Sequence, residues 1–511
     1  DPAALRPGPR LQGVEEGEAH GVLQPGQTLR IVKLVAYGWS AERSVPALRA
    51  QVAAALSAAR HTTWPGMLAE QEAYLADFWD RADVTIDGDP QLQHAVRFAL
   101  FHTLQAGART EGRGIPAKGL TGPGYDGHTF WDTESFVLPV LTYTVPEAAG
   151  DALRWRHSLI GPAAARAEQL GLRGSAFAWR TIAGHECSAY WPAGTAAFHI
   201  NAAIADAVRR YVAADGGSRW EQTYGVDLLV ATARLWASLG YFDAAGRFRI
   251  DGVTGPDEYR AVADTNVYTN LMARRNLLAA ADAVGRHPGA ARDVRADEVA
   301  TWRRAADAMT IPFDADLGVH PQSERFTAHE RCDFGAVGDR YPLMLHFPYF
   351  DLYRRQVTKQ ADLVLALYLC GDQFTDEEKL ADFEYYEAIT VRDSSLSACT
   401  QAIMAAETGH VELAYDYLGE AALMDLDDLE HNTKDGLHIA SLAGAWLAVV
   451  GGFGGMRDHG GRLSFAPRLP AAVRGLTFNL VWRGIRLHVE VRPDGTTYRT
   501  TGGDLELTHH G

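Results

Sequence analysis

From residue 91 to residue 450, apolar side chains return at spacings of three and four in one segment after another. Ile200, Ala203, Ile204, Ala207, Val208 and Tyr211 form one such stripe, and Val226, Leu229, Val230, Ala233 and Trp236 form another. With 3.6 residues per turn, a helix puts those positions on one face, which must be buried against a neighbour. The pattern recurs near 91–107, 150–171, 266–284, 296–309, 352–370, 376–388, 397–409, 411–424 and 438–450. Roughly eleven or twelve successive helices follow from it. Long loops rich in Gly, Pro and aromatics separate them, which suits a helical toroid whose loops gather at one end. An irregular helical bundle has the same periodicity.

The flanks read differently. Residues 1–45 hold Pro2, Pro7, Pro9 and Pro25 and one alternating apolar run, Leu29, Ile31, Val32 and Leu34. We read them as the last strands of a β-rich unit, followed by helical segments at 45–60 and 66–81. Beyond 451–455, Phe478, Leu480 and Trp482, then Ile485, Leu487, Val489 and Val491, alternate with polar residues, and Asp494 with Gly495 is a hairpin signal. The expected domains are therefore the end of an N-terminal β unit at 1–45, a helical linker at 46–85, a helical body at 86–455 and a small antiparallel β domain at 456–511. A chain of 511 residues is too long for one core, which stops growing near roughly 250–300 residues.

The formal charge of −16, from 48 Lys and Arg against 64 Asp and Glu, repels phosphate backbones and anionic headgroups, and no basic run offsets it. Nucleic acid and membrane surfaces are thus excluded as expected partners. The four cysteines, Cys187, Cys332, Cys370 and Cys399, lack CxxC spacing, which fits a reducing cytoplasm and no cysteine metal site. There is no HExxH or other metal-ligand spacing, so no metal is expected.

Four segments carry more Trp, His, Asp, Glu and Gly than a packed helical core wants. The first is GYDGHTFWDTE (124–134), preceded by Lys118. An aromatic ring beside carboxylates suits a sugar, because the ring stacks on the apolar face of a pyranose while the carboxylate accepts from its hydroxyls. The second is GVTGPDEY (252–259), where a Gly-Pro turn puts Asp257 and Glu258 on a loop ahead of a helix. A carboxyl group set among aromatics loses hydration, and its pKa rises toward what a general acid needs; equally, Asp257 could cap a helix. The third is KQAD (359–362), which alone would read as a solvated face. The fourth runs from Tyr385 and Glu387 to TVRDSSLS (390–397). Serine hydroxyls and an arginine ahead of a helix make an anion site, or else Ser394 or Ser395 caps the helix. A further polar loop ends at His438 and could face the fourth segment.

Taken in order, these segments resemble glycoside hydrolase family 65, which includes maltose, trehalose and kojibiose phosphorylases and some α-glucoside hydrolases. The likeness covers residues 90–460 and includes IPAKGLTG (115–122), GHTFWDTE (127–134), HIN (199–201), GVTGPDEY (252–259), KQAD (359–362), DSSLS (393–397), DGLHIA (435–440) and GFGGMR (452–457). The resemblance implies a mainly α fold: an (α/α)6 toroidal barrel with a C-terminal antiparallel β domain and a remnant of an N-terminal β-sandwich. It implies inverting cleavage of a small α-glucoside, with Glu258 as proton donor and with Trp131, Asp132, Lys359, Gln360 and Glu387 around the glucosyl unit. Ser394, Ser395 and His438 match the family's phosphate-binding region, and Arg392 stands where many of its phosphorylases carry His. No cofactor is implied beyond inorganic phosphate as co-substrate, and a homodimer is compatible with the resemblance.

Inversion needs a nucleophile on the face opposite the acid. A hydrolase supplies water and a second carboxylate about 6.5–9.5 Å away, for which Glu387, and after it Asp393, are the candidates. A phosphorylase needs only to hold phosphate in line. Arg392, Ser394, Ser395, Ser397 and His438 favour phosphorolysis, with trehalase-like or other α-glucoside hydrolysis as the alternative. A remote alternative is an inactive sugar-binding protein, against which the presence of Glu258 argues. The acceptor half of the site is expected in loops 184–194 and 322–341.

Overall fold

The computed structural model describes residues 7–11, 14–17, 23–40, 43–107, 112–391 and 393–510. The chain divides into two compact units, Asp1–Asp77 and Phe78–Gly511. In the first, strands Pro7–Leu11 and Val14–Gly17 pair antiparallel. The alternating run at 29–34 is not a strand. Alternation specifies which face is buried only when a neighbour supplies the ladder, and Ile31 is 72% exposed. The two helical segments expected at 45–60 and 66–81 join as Val45–Ala82, broken at Thr63 just ahead of Pro65. Proline has no N–H to give the helix ladder and crowds the preceding turn.

In the second unit, six helices form a closed inner ring among the described residues. They are Thr133–Val137 continuing into Leu138–Thr144, His199–Asp215, Val267–Arg286, Asp362–Leu369, Ser397–Glu407, and Ile439–Leu447 continuing into Ala448–Phe453. Each packs on the next, and the last returns to the first. Helices such as Pro90–Gly107, Val226–Leu239, Ala296–Asp307 and Val411–Leu423 alternate with them outside. The sequence assigns the layers by how much of each helix is apolar. IASLAGAWL (439–447) and LVLALYL (363–369) carry no charge and are buried all round. Ala296–Asp307 buries only Trp302, Ala305 and Ala306 and leaves its charged face to water. The ring closes tightly: a Cβ on Gly444 would lie 2.6 Å from Sγ of Cys399, so glycine is what lets those two helices approach. The result is the (α/α)6 barrel that the sequence led us to expect. One helix is shorter than its periodicity suggested: of 352–370, only Asp362–Leu369 belongs to the ring helix, because 358–361 is pulled into the site.

A four-stranded sheet follows, in the order Gly495–Thr501, Ile485–Arg492, Gly475–Trp482, Val84–Asp87. Its fourth strand comes from before the barrel and pairs antiparallel with 475–478, so the chain crosses from linker to sheet and back. Four residues, VTID, give too short a pattern to read as a strand alone. The ring is fastened at the C-terminal ends of its helices by Asp458, which accepts from Tyr143 Oη at 2.8 Å and lies 3.2 Å from Arg210 Nη1. The sites of chemistry lie at the other end, where the inner helices begin.

Candidate active site

Most of the site residues stand just ahead of an inner helix. Trp131 and Asp132 precede Thr133–Val137, Lys359 and Gln360 precede Asp362–Leu369, Ser394 and Ser395 precede Ser397–Glu407, and His438 precedes Ile439–Leu447. Helix starts leave backbone N–H groups unpaired and carry the positive end of the helix dipole. Barrel closure thus brings sequence-distant loops to one mouth at the starts of the inner helices. There they line a cleft of about 420 Å³, together with Glu258, Lys118, Tyr125, Arg180, Tyr190 and Glu430.

Glu258 Oε2 accepts from Lys359 Nζ at 3.0 Å. Its backbone carbonyl accepts from Tyr190 Oη at 2.7 Å, and Tyr190 in turn lies 3.2 Å from Tyr353 Oη. The preceding residue does not cap a helix; Asn266 caps Val267–Arg286 instead. Asp257 is buried, and its carboxylate accepts from Lys359 N at 2.8 Å and from Gln322 Nε2 at 3.0 Å. That cross-brace fixes the acid loop against the lysine loop.

Elsewhere in the cleft, Trp131 is 4% exposed and packs edge-on against His199 with ring centroids 4.9 Å apart. Burial holds His199 neutral, with its pKa lowered to about 3. Asp132 is half-buried, and its Oδ1 is enclosed with no hydrogen-bond partner among the described residues. Burial, then the nearby charge of Glu134, pushes its pKa up to about 6. An enclosed carboxylate oxygen lining a cleft needs a donor, and a sugar hydroxyl supplies one. Beneath, Glu134 and Arg156 form a buried bidentate pair at 2.7 and 2.9 Å. Gln360 is spoken for at both ends, donating to Pro256 O at 2.6 Å and accepting from Ser394 Oγ at 2.7 Å.

Ser394 Oγ also accepts from the Leu396 N–H at 3.3 Å just ahead of the following helix, whose cap residue Leu396 itself makes no side-chain cap bond. His438 is fixed by Asp425: its Nδ1 lies 2.7 Å from Oδ1, and its backbone N–H donates to Oδ2 at 2.7 Å. With Nδ1 on the carboxylate, Nε2 is the nitrogen left for a ligand. Lys118, beside Tyr125, has its pKa lowered by burial and drawn back up by Asp425 and Asp435. Arg392 lies outside the described residues.

Three expectations need correction. Glu387 is not among the cleft residues; it accepts from Gln401 Nε2 at 2.8 Å and from Tyr417 Oη. Asp393 reaches the cleft but accepts from Tyr259 Oη at 2.5 Å and Leu343 N at 2.6 Å through one oxygen, a clamp on the 342–344 segment. Of the two acceptor loops, 184–194 contributes Ser188, Ala189 and Tyr190 to the wall, whereas 322–341 contributes nothing described and Met344 stands there instead. Lys118 enters the sequence reading only as a neighbour of the first segment, and Asp425 and Glu430 do not enter it. Lys118 had a signal in IPAKGLTG, but Asp425 and Glu430 sit in MDLDDLE (424–430), which looks like any solvated acidic run.

A ring of helix starts that gathers one carboxylate on a lysine, a buried tryptophan and several cations into a cleft defines the molecule as an enzyme. Its particular family follows from comparison with known proteins. The central catalytic domain of glycosyl hydrolase family 65 matches residues 97–447, its C-terminal domain 456–511 and its N-terminal domain 15–78. The chain belongs to glycosyl hydrolase family 65. It is 59% identical over 494 residues to an uncharacterized glycosyl hydrolase of Mycobacterium leprae, covering 96% of this chain and 62% of that protein. It is 40% identical to the α,α-trehalose phosphorylase of Thermoanaerobacter brockii, covering 94% of this chain and 64% of the relative. A solved structure described as a putative kojibiose phosphorylase from human microbiome superposes with a TM-score of 0.87 at 27% identity, covering 92% of this chain and 71% of that one. The chain thus spans less than two thirds of the length of these two sequence relatives. No helix among the described residues is long and apolar enough to cross a membrane.

Proposed function

We propose that this chain carries out inverting phosphorolysis of a small α-linked glucoside. Glu258 gives its proton to the glycosidic oxygen as the bond from C1 breaks, and a phosphate oxygen forms the new bond to C1 from the opposite face, releasing β-glucose 1-phosphate. The observation that carries this reading is the make-up of the cleft. Lys118, His438, Ser394 and Ser395 gather in one cavity with the acid, the last three just ahead of helix starts, which suits an anionic nucleophile. Meanwhile Glu387 and Asp393, the carboxylates considered as bases, are engaged by protein donors. The kinship with phosphorylases supports the same reading. Trp131 and Asp132 would hold the glucosyl unit, and Tyr190 and Met344 would flank the leaving group. The four unpaired cysteines support a cytoplasmic setting.

Hydrolysis remains the second reading because Glu430 lines the same cleft and could orient a water. Incubating trehalose, maltose, kojibiose and nigerose with and without phosphate separates the two. β-Glucose 1-phosphate formed only with phosphate is the expected result, and free glucose released equally well without phosphate would refute phosphorolysis.

A further inference from the structure

Directly behind the acid loop lie two buried carboxyl groups, Asp257 and Asp362. The loop is moulded on the second of them. A Cβ on Gly255 would fall 2.5 Å from Asp362 Oδ2 and 2.8 Å from Asn266 Nδ2, so the turn before Glu258 runs flush against this carboxyl. Asp362 Oδ2 accepts from Asn266 Nδ2 at 2.9 Å, and the backbone N–H of Asp257 also bonds Asp362. Two buried carboxylates close enough to repel each other resist both being charged. Their surroundings decide which one ionises.

Asp257 is surrounded by donors: Lys359 N and Tyr259 N on one oxygen and Gln322 Nε2 on the other, with the Arg260 charge nearby. Asp362 also accepts from the backbone N–H of Leu363, and its Oδ1 is buried and unpartnered among the described residues. That carboxyl borders a small cavity of about 10 Å³, shared with Gln401, whose Oε1 is likewise buried and unpartnered. Two acceptors with no donor between them are a mismatch that one proton removes, because a neutral carboxyl turns Oδ1 into a donor. The cavity has room for about one bridging water if the two do not touch.

We propose that Asp362 is a positioning residue that carries the proton of the Asp257–Asp362 pair, and that in this neutral form it holds the turn that presents Glu258 to the substrate. Loss of that proton sets two negative charges against each other behind the loop and parts the turn from the lysine segment. Burial, reinforced by the charge of Asp257, raises Asp362 to about 7, which puts the change near neutral pH. Burial raises Asp257 as well, opposed by its hydrogen-bond donors and the Arg260 charge, and the remaining groups that face Asp362 do not titrate there. Arg260 stays cationic although burial lowers it, and burial raises both Tyr268 and Tyr386. Asn266 and Gln401 are neutral.

The inference rests on Glu258 as the acid, but it holds for either nucleophile. Its test uses Asp362→Asn, a permanent mimic of the neutral form, and Asp362→Ala. In the intact protein, kcat/KM should fall on the alkaline side of about pH 7. Asp362→Asn should keep acidic-side activity within about threefold and lose that alkaline fall, while Asp362→Ala is impaired at every pH. Thermal melting gives a readout that needs no turnover. A carboxyl raised in the folded state makes the native protein bind the extra proton, so stability from this group falls as pH rises from about 4 to about 7. The share of that slope due to Asp362 should be lost in Asp362→Asn, leaving the smaller share that Asp132 contributes below about pH 6. An unchanged alkaline limb together with an unchanged melting slope in Asp362→Asn overturns the proposal. If no glucoside is turned over at all, the function fails, yet the melting slope still decides where the proton sits.

Discussion

Nζ of Lys359 lies 3.0 Å from Oε2 of Glu258, while the backbone N–H of the same lysine donates to the neighbouring Asp257 at 2.8 Å. One residue thus grips both carboxyls of the acid loop, with its side chain on the one that faces the cleft and its main chain on the one that is buried. Replacing Lys359 by Met removes only the first grip. We expect kcat/KM to fall roughly 10- to 100-fold, equivalent to about 1.5–3 kcal/mol for a hydrogen bond to a charged group. Steady-state kinetics, with circular dichroism to confirm an unchanged fold, check it.

Glu258→Gln keeps the shape of the acid and removes its proton. Turnover should drop by about 10²–10⁴-fold with little change in affinity for the disaccharide. Titration of the variant with substrate by calorimetry measures the binding half. Full activity in this variant would show that the proton comes from elsewhere.

Asp425 decides which nitrogen of His438 is offered to the cleft. Asp425→Asn weakens that choice while leaving the sugar-binding residues untouched. If phosphate binds at His438, KM for phosphate should rise about tenfold, the loss of one charge-assisted bond, and KM for the glucoside should stay near its original value. Equal changes in both constants would argue for a merely structural pair.

Asp132 supplies a pH dependence with a definite sign. With its pKa pushed up to about 6 by burial and by Glu134, it is a full acceptor for sugar hydroxyls only above that pH. KM for the glucoside should rise as pH falls through about 6, and the rise should vanish in Asp132→Asn, whose KM is high throughout. As the folded pKa lies above the ordinary 3.8, this group's contribution to stability falls as pH climbs from about 4 to about 6.

The floor of the site rests on Glu134 and Arg156, both fully buried. Glu134→Ala leaves a guanidinium without its partner inside the protein. The expected loss is about 3–5 kcal/mol, read from urea unfolding.

The helix pattern by itself determined the helices, whereas their closure into a ring, which an irregular bundle of the same periodicity would lack, was implied by the family resemblance and decided by the tertiary contacts. Strips of apolar residues at 3.6 spacing marked almost every helix, and the uncharged stretches 363–369 and 439–447 already marked those that must lie innermost, because a helix without a polar face has nowhere else to go. The local chemistry of GVTGPDEY and FWDTE was legible too, as a carboxylate and an aromatic on turns. What the sequence could not say is which partners those groups would find, since hydrogen bonds between residues about a hundred positions apart leave no local signature. Only the closed ring places Lys359 on Glu258 and Asp362 behind Asp257, whereas Asp425 meets His438 across the single loop between two successive α-helices. Ring closure also turns Glu387 away to Gln401 and brings Glu430, from an unremarkable acidic run, to the cleft. The strand 84–87 went unread for the same reason: four residues cannot declare a partner nearly four hundred positions away. The sequence settled the periods, and the tertiary contacts settled the pairings, because burial follows local pattern whereas hydrogen-bond and charge partners depend on where the ring closes.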